Sequence, residues 1–177
     1  MKHQSDILAL KYRPTDFNDL IGQEYLVETI QKSIELNKIP NAYIFTGIRG
    51  VGKTTTARIV AKMLNCTAFD QNNRPDLNNC DQAKAISEDR HPDVIEIDAA
   101  SNTSVENARE IIENVKYNPV LGKYKVYIID EVHMLSKSAF NALLKTLEEP
   151  PPHSKFIFAT TEISKVPITI LSRCQRF

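Results

Sequence analysis

At 177 residues the chain is about one domain, long enough to bury roughly 70% of its unfolded surface around a single core. Its composition, 42% hydrophobic and 25% charged, is that of a folded globular protein. The 22 basic and 22 acidic side chains cancel, which disfavours a free-standing nucleic-acid binder held by bulk charge, and no apolar run approaches the ~18 residues of a membrane helix.

The first ten residues, "MKHQSDILAL", lack the apolar stretch and small-residue cleavage site of a signal peptide, and three cysteines suit a reducing cytoplasm. Residues 23–36 read as a helix with Leu26, Val27, Ile30 and Ile34 on one face. "AYIFTG" (42–47) reads as a buried strand and 52–64 as the helix after it. The segment 66–93 is polar, rich in Asn and Asp, and carries Pro75 and Pro92. It reads as an excursion from the sheet with a short helix near 82–88. "VIEID" (94–98) is the next strand. A helix over 104–115 follows, with Ser104 as N-cap and Asn107 where a capping box calls for Glu or Gln. "KVYIID" (125–130) is a third strand and 136–147 a helix, stopped by the prolines of "EEPPPHSK" (148–155). "KFIFAT" (155–160) and "CQRF" (174–177) complete five short runs expected as buried strands. Strands alternating with helices predict an α/β fold, with a mostly parallel sheet covered on both faces.

"GIRGVGKTT" (47–55) holds three of the chain's five glycines. Gly47, Gly50, Gly52, Lys53 and Thr54 satisfy G-x-x-x-x-G-K-[ST], and the match lies between a predicted strand and a predicted helix, as a phosphate-binding P-loop requires. Glycines let successive N–H groups curl toward phosphate oxygens, and the helix N-terminus adds positive potential. Lys53 is the candidate for the outer phosphates, with Val51 and Thr55 flanking it, and the Thr54 hydroxyl for Mg²⁺. The bland alternative is a Gly-rich turn that binds nothing.

"VYIIDEVH" (126–133) puts Asp130 and Glu131 at a strand end. Asp130 suits a hard Mg²⁺ ion, while Glu131, pointing to the other side, suits a carboxylate that polarises an attacking water. That second acid favours a hydrolase over a kinase. His133 is a candidate base, but a lone histidine beside a strand end is more often packed or solvated.

With these residues in hand, "LALKYRPTDFNDLIGQE" (8–24), "GVGKTT" (50–55), "DVIEIDAASNTSVENARE" (93–110), "KVYIIDEVHMLSKSAFNALLKTLEEPP" (125–151) and "FATTEISKVPITILSRCQRF" (158–177) strongly resemble the gamma/tau subunits of the bacterial DNA polymerase III clamp loader. The resemblance implies the ATPase core of an AAA+ protein: a three-layer P-loop fold with a five-stranded parallel sheet, occupying 1–177. It implies ATP and Mg²⁺ as ligands. The partners would be other loader subunits (delta, delta prime and further gamma/tau copies), the sliding clamp, and the backbone of primed DNA. By the same resemblance Tyr12, Arg13, Pro14, Ile21, Gly22 and Gln23 surround adenine and ribose. Thr161 matches the sensor near the γ phosphate, and Arg173 an arginine finger acting in trans on a neighbour's ATP. "SNTSVENARE" (101–110), offering Ser101, Asn102, Thr103 and Ser104, matches a helix start that faces DNA, and Lys137 is a second candidate.

Two departures qualify this. By the resemblance, family members usually carry four cysteines spaced roughly C-x8-C-x2-C-x2-C after the phosphate-loop helix, a set that would close a zinc site. Here Cys66 and Cys80 remain, with Leu77 and Ala83 at the other positions and Asp81 and His91 off the spacing, so zinc is not expected and the segment is expected to be the least ordered. The chain also ends at Phe177, before the family's lid and collar domains, which raises a rival expectation of a non-catalytic or vestigial ATP-binding module. A Holliday-junction motor, another AAA+ machine, is disfavoured by "LLKTLEEPP". The expected compartment is the cytoplasm.

Overall fold

The computed structural model describes residues 14–16, 19–20, 22–71, 74–101 and 105–177, without the side chains of Val105 and Asn107. The elements in chain order are α1 (Glu24–Glu35), β1 (Ala42–Thr46), α2 (Lys53–Asn65), α3 (Asp81–Ser87), β2 (Val94–Asp98), α4 (Val105–Val115), β3 (Lys125–Asp130), α5 (Lys137–Glu148), β4 (Ser154–Thr160), α6 (Ile168–Leu171) and β5 (Gln175–Arg176). The strands form one sheet in the order β2-β3-β4-β1-β5, with every neighbouring pair parallel.

Alternation along the strands builds the three layers. Tyr43 and Phe45 of β1, Val126 and Ile128 of β3 and Ile157 of β4 face a core with Leu26 and Ile30 of α1 and Ala57, Val60 and Leu64 of α2. Their neighbours Ile44, Tyr127, Ile129, Phe156 and Phe158 face the other core, with Ala108, Ile111 and Val115 of α4 and Phe140, Leu143 and Leu147 of α5. Each fully buried large aliphatic here is worth about 1.5–3 kcal/mol. The expectation of five buried strands needs correcting at both edges. β2 is only part-buried and β5 is exposed, because an edge strand has a neighbour on one side only.

Two polar side chains with no exposure fix the connection from α4 to β3. The Asp93 carboxylate accepts from the backbone N–H of Val120, Leu121 and Gly122, each at 2.7 Å. Asn65 accepts from Tyr124 N at 2.7 Å and donates to Tyr124 O at 2.9 Å. Burial would raise the Asp93 pKa, but the three N–H donors outweigh it and hold the carboxyl below the usual aspartate range.

The described residues of 66–93 pack onto α2. A bridge joins Phe69 to Pro75, and Asp76 accepts from the N–H of Asn78 and Asn79 at the start of a 3-10 turn. α3 lies within one residue of the expected short helix. Cys66, Leu77, Cys80 and Ala83 all enter the core beneath α1 and α2, so a segment polar in composition is apolar where it touches the sheet domain. The N-cap expected at Ser104 lies outside the described residues. Ser136, by contrast, caps α5 by accepting from Ala139 N.

Candidate functional site

In an all-parallel sheet the strand C-termini share one edge, and ligands bind in the crevice outside it. β1, β3 and β4 end there with Thr46, Asp130 and Thr160, and the order β3-β4-β1 brings their following loops together. A cleft of about 1010 Å³ opens on this edge, lined among others by Pro14, Gly50, Lys53, Thr54, Asp130 and Thr161.

The loop after β1 turns because Gly50 (φ 88°) and Gly52 (φ 91°) adopt left-handed backbone, which strains any other residue. At Gly47 an added Cβ would lie 3.1 Å from Val51 Cγ2, so the loop closes tightly there. Lys53 is 9% exposed, and its Nζ donates to the carbonyls of Gly47 (2.9 Å) and Ile48 (3.0 Å). Thr54 Oγ1 donates to Asp130 Oδ2 at 2.6 Å, joining the first turn of α2 to the end of β3. The second Asp130 oxygen accepts from Glu131 N at 2.9 Å. A hydroxyl and a carboxylate converging beside a phosphate-type loop are the hard oxygen donors that Mg²⁺ takes. Thr55 also lines the cleft.

Strand alternation would send the two adjacent acids to opposite sides, as the sequence suggested. Instead Glu131 adopts left-handed backbone (φ 47°, ψ 45°), the alternation breaks, and both carboxylates line the same cleft. Glu131 Oε2 accepts from Thr161 Oγ1 at 2.9 Å and from Thr161 N at 3.2 Å. Thr161 is therefore brought to the acid pair. Arg173 is not: its Nη1 donates to Thr169 O at 2.6 Å and its Nη2 pairs with Glu148 Oε1 at 2.5 Å, away from this chain's own cleft.

Of the residues expected around adenine, Pro14 lines the cleft. Gly22 (φ 77°) is a turn residue that does not, while Gln23 lines a small cavity beside Val51 and Phe177. Tyr12, Arg13 and Ile21 lie outside the described residues, as do Asn102 and Thr103 of the segment expected to face DNA. Sequence reasoning missed Asp98, which also lines the cleft. It ends β2 in register with Asp130 and accepts from Ala100 N and Ser101 Oγ. The signal was available, since "VIEID" ends on an acid as "KVYIID" does.

The four positions of the family's cysteine set do not suit zinc. Leu77 and Ala83 supply no donor, which leaves the two thiols of Cys66 and Cys80, half of a tetrahedral set. Among the described residues no group of three or more His, Cys, Asp or Glu could hold a metal ion. Also among them, no helix is long and apolar enough to cross a membrane.

A family model described as "DNA polymerase III, delta subunit" matches residues 22–177. The chain belongs to this family. Its curated relatives bear the tau and gamma names that the sequence resemblance suggested. It is 52% identical over 97% of its length to DNA polymerase III subunit tau/gamma of Haemophilus influenzae. It is 53% identical over 94% to subunit tau of Bacillus subtilis, and 53% over 97% to subunit gamma of Buchnera aphidicola subsp. Schizaphis graminum. The chain spans 25%, 29% and 47% of those relatives. Two solved structures from Thermotoga maritima share the fold. A DNA polymerase III gamma subunit-related protein has a TM-score of 0.57 and 24% identity over 85% of this chain and 44% of its own. The RuvB Holliday junction branch migration motor has a TM-score of 0.62 and 17% identity over 93% and 47%. The chain thus shares with both a three-layer α/β fold of the P-loop type on a five-stranded parallel sheet.

Proposed function

We propose that this chain binds Mg-ATP in the cleft at the sheet edge and acts as an ATPase core of the DNA polymerase III clamp loader. There, hydrolysis would be coupled to placing the sliding clamp on primed DNA during replication. The observation that carries the reading is the convergence of four residues on one cleft: Lys53 and Thr54 from the first turn of α2, Asp130 from the end of β3 and Glu131 from the turn that follows it. Relatives named as DNA polymerase III tau and gamma subunits support the assembly part. The partners in this reading are delta, delta prime and gamma/tau copies, the clamp, and DNA held through its backbone.

Each residue then has one task. The loop N–H groups and the first turn of α2 face phosphate oxygens. Lys53 exchanges its two carbonyl acceptors for phosphate. Thr54 and Asp130 would hold Mg²⁺, which when bound supplies positive charge to the phosphates. Glu131 takes a proton from the attacking water. Thr161 orients that carboxylate through its two donated hydrogen bonds. Arg173, unable to reach this cleft from its pairing with Glu148, serves a neighbouring subunit's nucleotide, where such arginines contribute about 10³–10⁵ in rate.

The test compares ATP affinity and turnover for the chain alone and for the chain with full-length loader subunits and primed DNA. Binding in both settings with turnover only in the second is expected. Binding without turnover in either would sink the enzymatic reading.

A further inference from the structure

The imidazole of His133 is 6% exposed and sits between two carboxylates. Its Nδ1 lies 3.3 Å from Glu131 Oε2 and 3.0 Å from Thr160 Oγ1, and its Nε2 lies 3.5 Å from Glu162 Oε1. Glu162 is itself held, by Lys165 Nζ at 2.8 Å from Oε2 and 2.9 Å from Oε1 and by its backbone N–H donating to Thr160 Oγ1 at 3.1 Å. The contacts on Glu131 are one-sided. Thr161 Oγ1, Thr161 N and the His133 ring all converge on Oε2, whereas Oε1 has no hydrogen-bond partner among the described residues. A carboxylate held by one oxygen presents the other in a fixed direction, and Glu131, 29% exposed, lines the cleft.

We propose that His133, as the imidazolium that carries a proton on both ring nitrogens, is a positioning residue for hydrolysis: seated by the Nδ1 hydrogen bond with Thr160 Oγ1 and facing Glu162 with Nε2, it pairs with Glu131 Oε2, so that Oε1 faces the attacking water. The proposal rests on the reading of Glu131 as the water-activating acid. It assigns the run Lys165, Glu162, His133, Glu131 to one function, although these residues come from two loops that meet only because β3 and β4 are neighbours. The ring need not touch substrate. It removes orientations in which the carboxylate swings away, a geometric contribution to the barrier.

Two measurements test it. The first uses this chain with ¹⁵N-labelled histidine, where His133→Asn identifies the His133 ring signals among the four histidines. Glu131→Gln and Glu162→Gln should each shift those ring nitrogens, because each removes a charge facing one of them. Unchanged ring signals in both variants overturn the contact and the proposal with it. The second is turnover in the assembled loader with primed DNA. His133→Leu should lower kcat by about ten- to a hundredfold, the loss of one close charge-to-charge contact on Glu131, with KM for ATP unchanged. His133→Asn, whose amide can replace the Nδ1 donor, should recover part of it. Full turnover in His133→Leu, or a loss seen wholly in KM, overturns the proposal. Should Glu131→Gln turn over like the parent while still shifting the ring signals, the assignment of Glu131 falls and the positioning role falls with it. Should Glu131→Gln be inactive and His133→Leu active, only the positioning role falls.

Discussion

Asp93 offers a measurement of what the α4–β3 connection is worth. Asp93→Asn keeps the shape of the side chain and changes its chemistry. The carboxylate accepts three backbone N–H bonds at 2.7 Å and has no exposure. An amide replaces one accepting oxygen by a donor, so at least one of the N–H groups of Val120, Leu121 and Gly122 is left facing another donor. The remaining bonds become neutral rather than charge-assisted, and relief from burying a charge offsets part of the loss. Taking charge-assisted bonds at about 1.5–3 kcal/mol and neutral ones near 1, the net destabilisation is about 2–4 kcal/mol. Urea unfolding of parent and variant at neutral pH reads it as a fall in midpoint without change in slope. The pH dependence supplies an independent check. Because the folded pKa of Asp93 is depressed, its contribution is present above the ordinary aspartate range and is lost as pH falls through the lower folded value. The gap between parent and variant should therefore narrow in acid. A difference under about 0.5 kcal/mol at neutral pH, the size of an ordinary surface change, would refute the account of Asp93 as the anchor of this loop.

Lys53→Ala should weaken ATP binding by about a hundredfold or more, the loss of a charge-assisted contact in a part-buried site, and retained affinity by equilibrium titration would count against the phosphate loop. Glu131→Gln should leave ATP affinity within a few-fold of the parent and lower turnover in the assembled loader by about 10²–10⁴. An unaffected rate would remove it from the chemistry. Thr54→Ala should leave the affinity insensitive to Mg²⁺, as read by titration with and without the ion. The His91 ring is buried and its pKa is lowered by that burial, so stability should fall as pH drops below the ordinary 6.5, and His91→Gln should flatten that slope in thermal unfolding.

Much of this molecule is written in local pattern. "KVYIID" coincides with β3 because its apolar residues fill both faces of a central strand, and the phosphate loop announces itself by its glycines. What was illegible depends on strand order. Nothing in the chain between Glu131 and Thr161 says that β3 and β4 are neighbours, and without that adjacency neither the hold of Thr161 on Glu131 nor the bridge from His133 to Glu162 can be foreseen. His133 looked like an isolated histidine because its partners arrive from another loop. The Glu131 turn was hidden for a different reason: left-handed backbone at a glutamate is rare, and the sequence carries no glycine there to signal it. The segment 66–93 misled through its average polarity, which conceals the four side chains that meet the core.

The seat of Lys53 has a consequence for how a ligand is chosen. Its ammonium donates to the carbonyls of Gly47 and Ile48, two oxygen acceptors that belong to the loop itself. A nucleoside without phosphates has nothing with which to displace those carbonyls, and should leave the lysine where it is. In the proposed reading a triphosphate would replace these oxygen acceptors by others that carry negative charge. If the cleft binds ATP as proposed, discrimination would begin as an exchange at this single amine, and a calorimetric comparison should find ATP and ADP bound and adenosine not; equal affinity for all three would refute it.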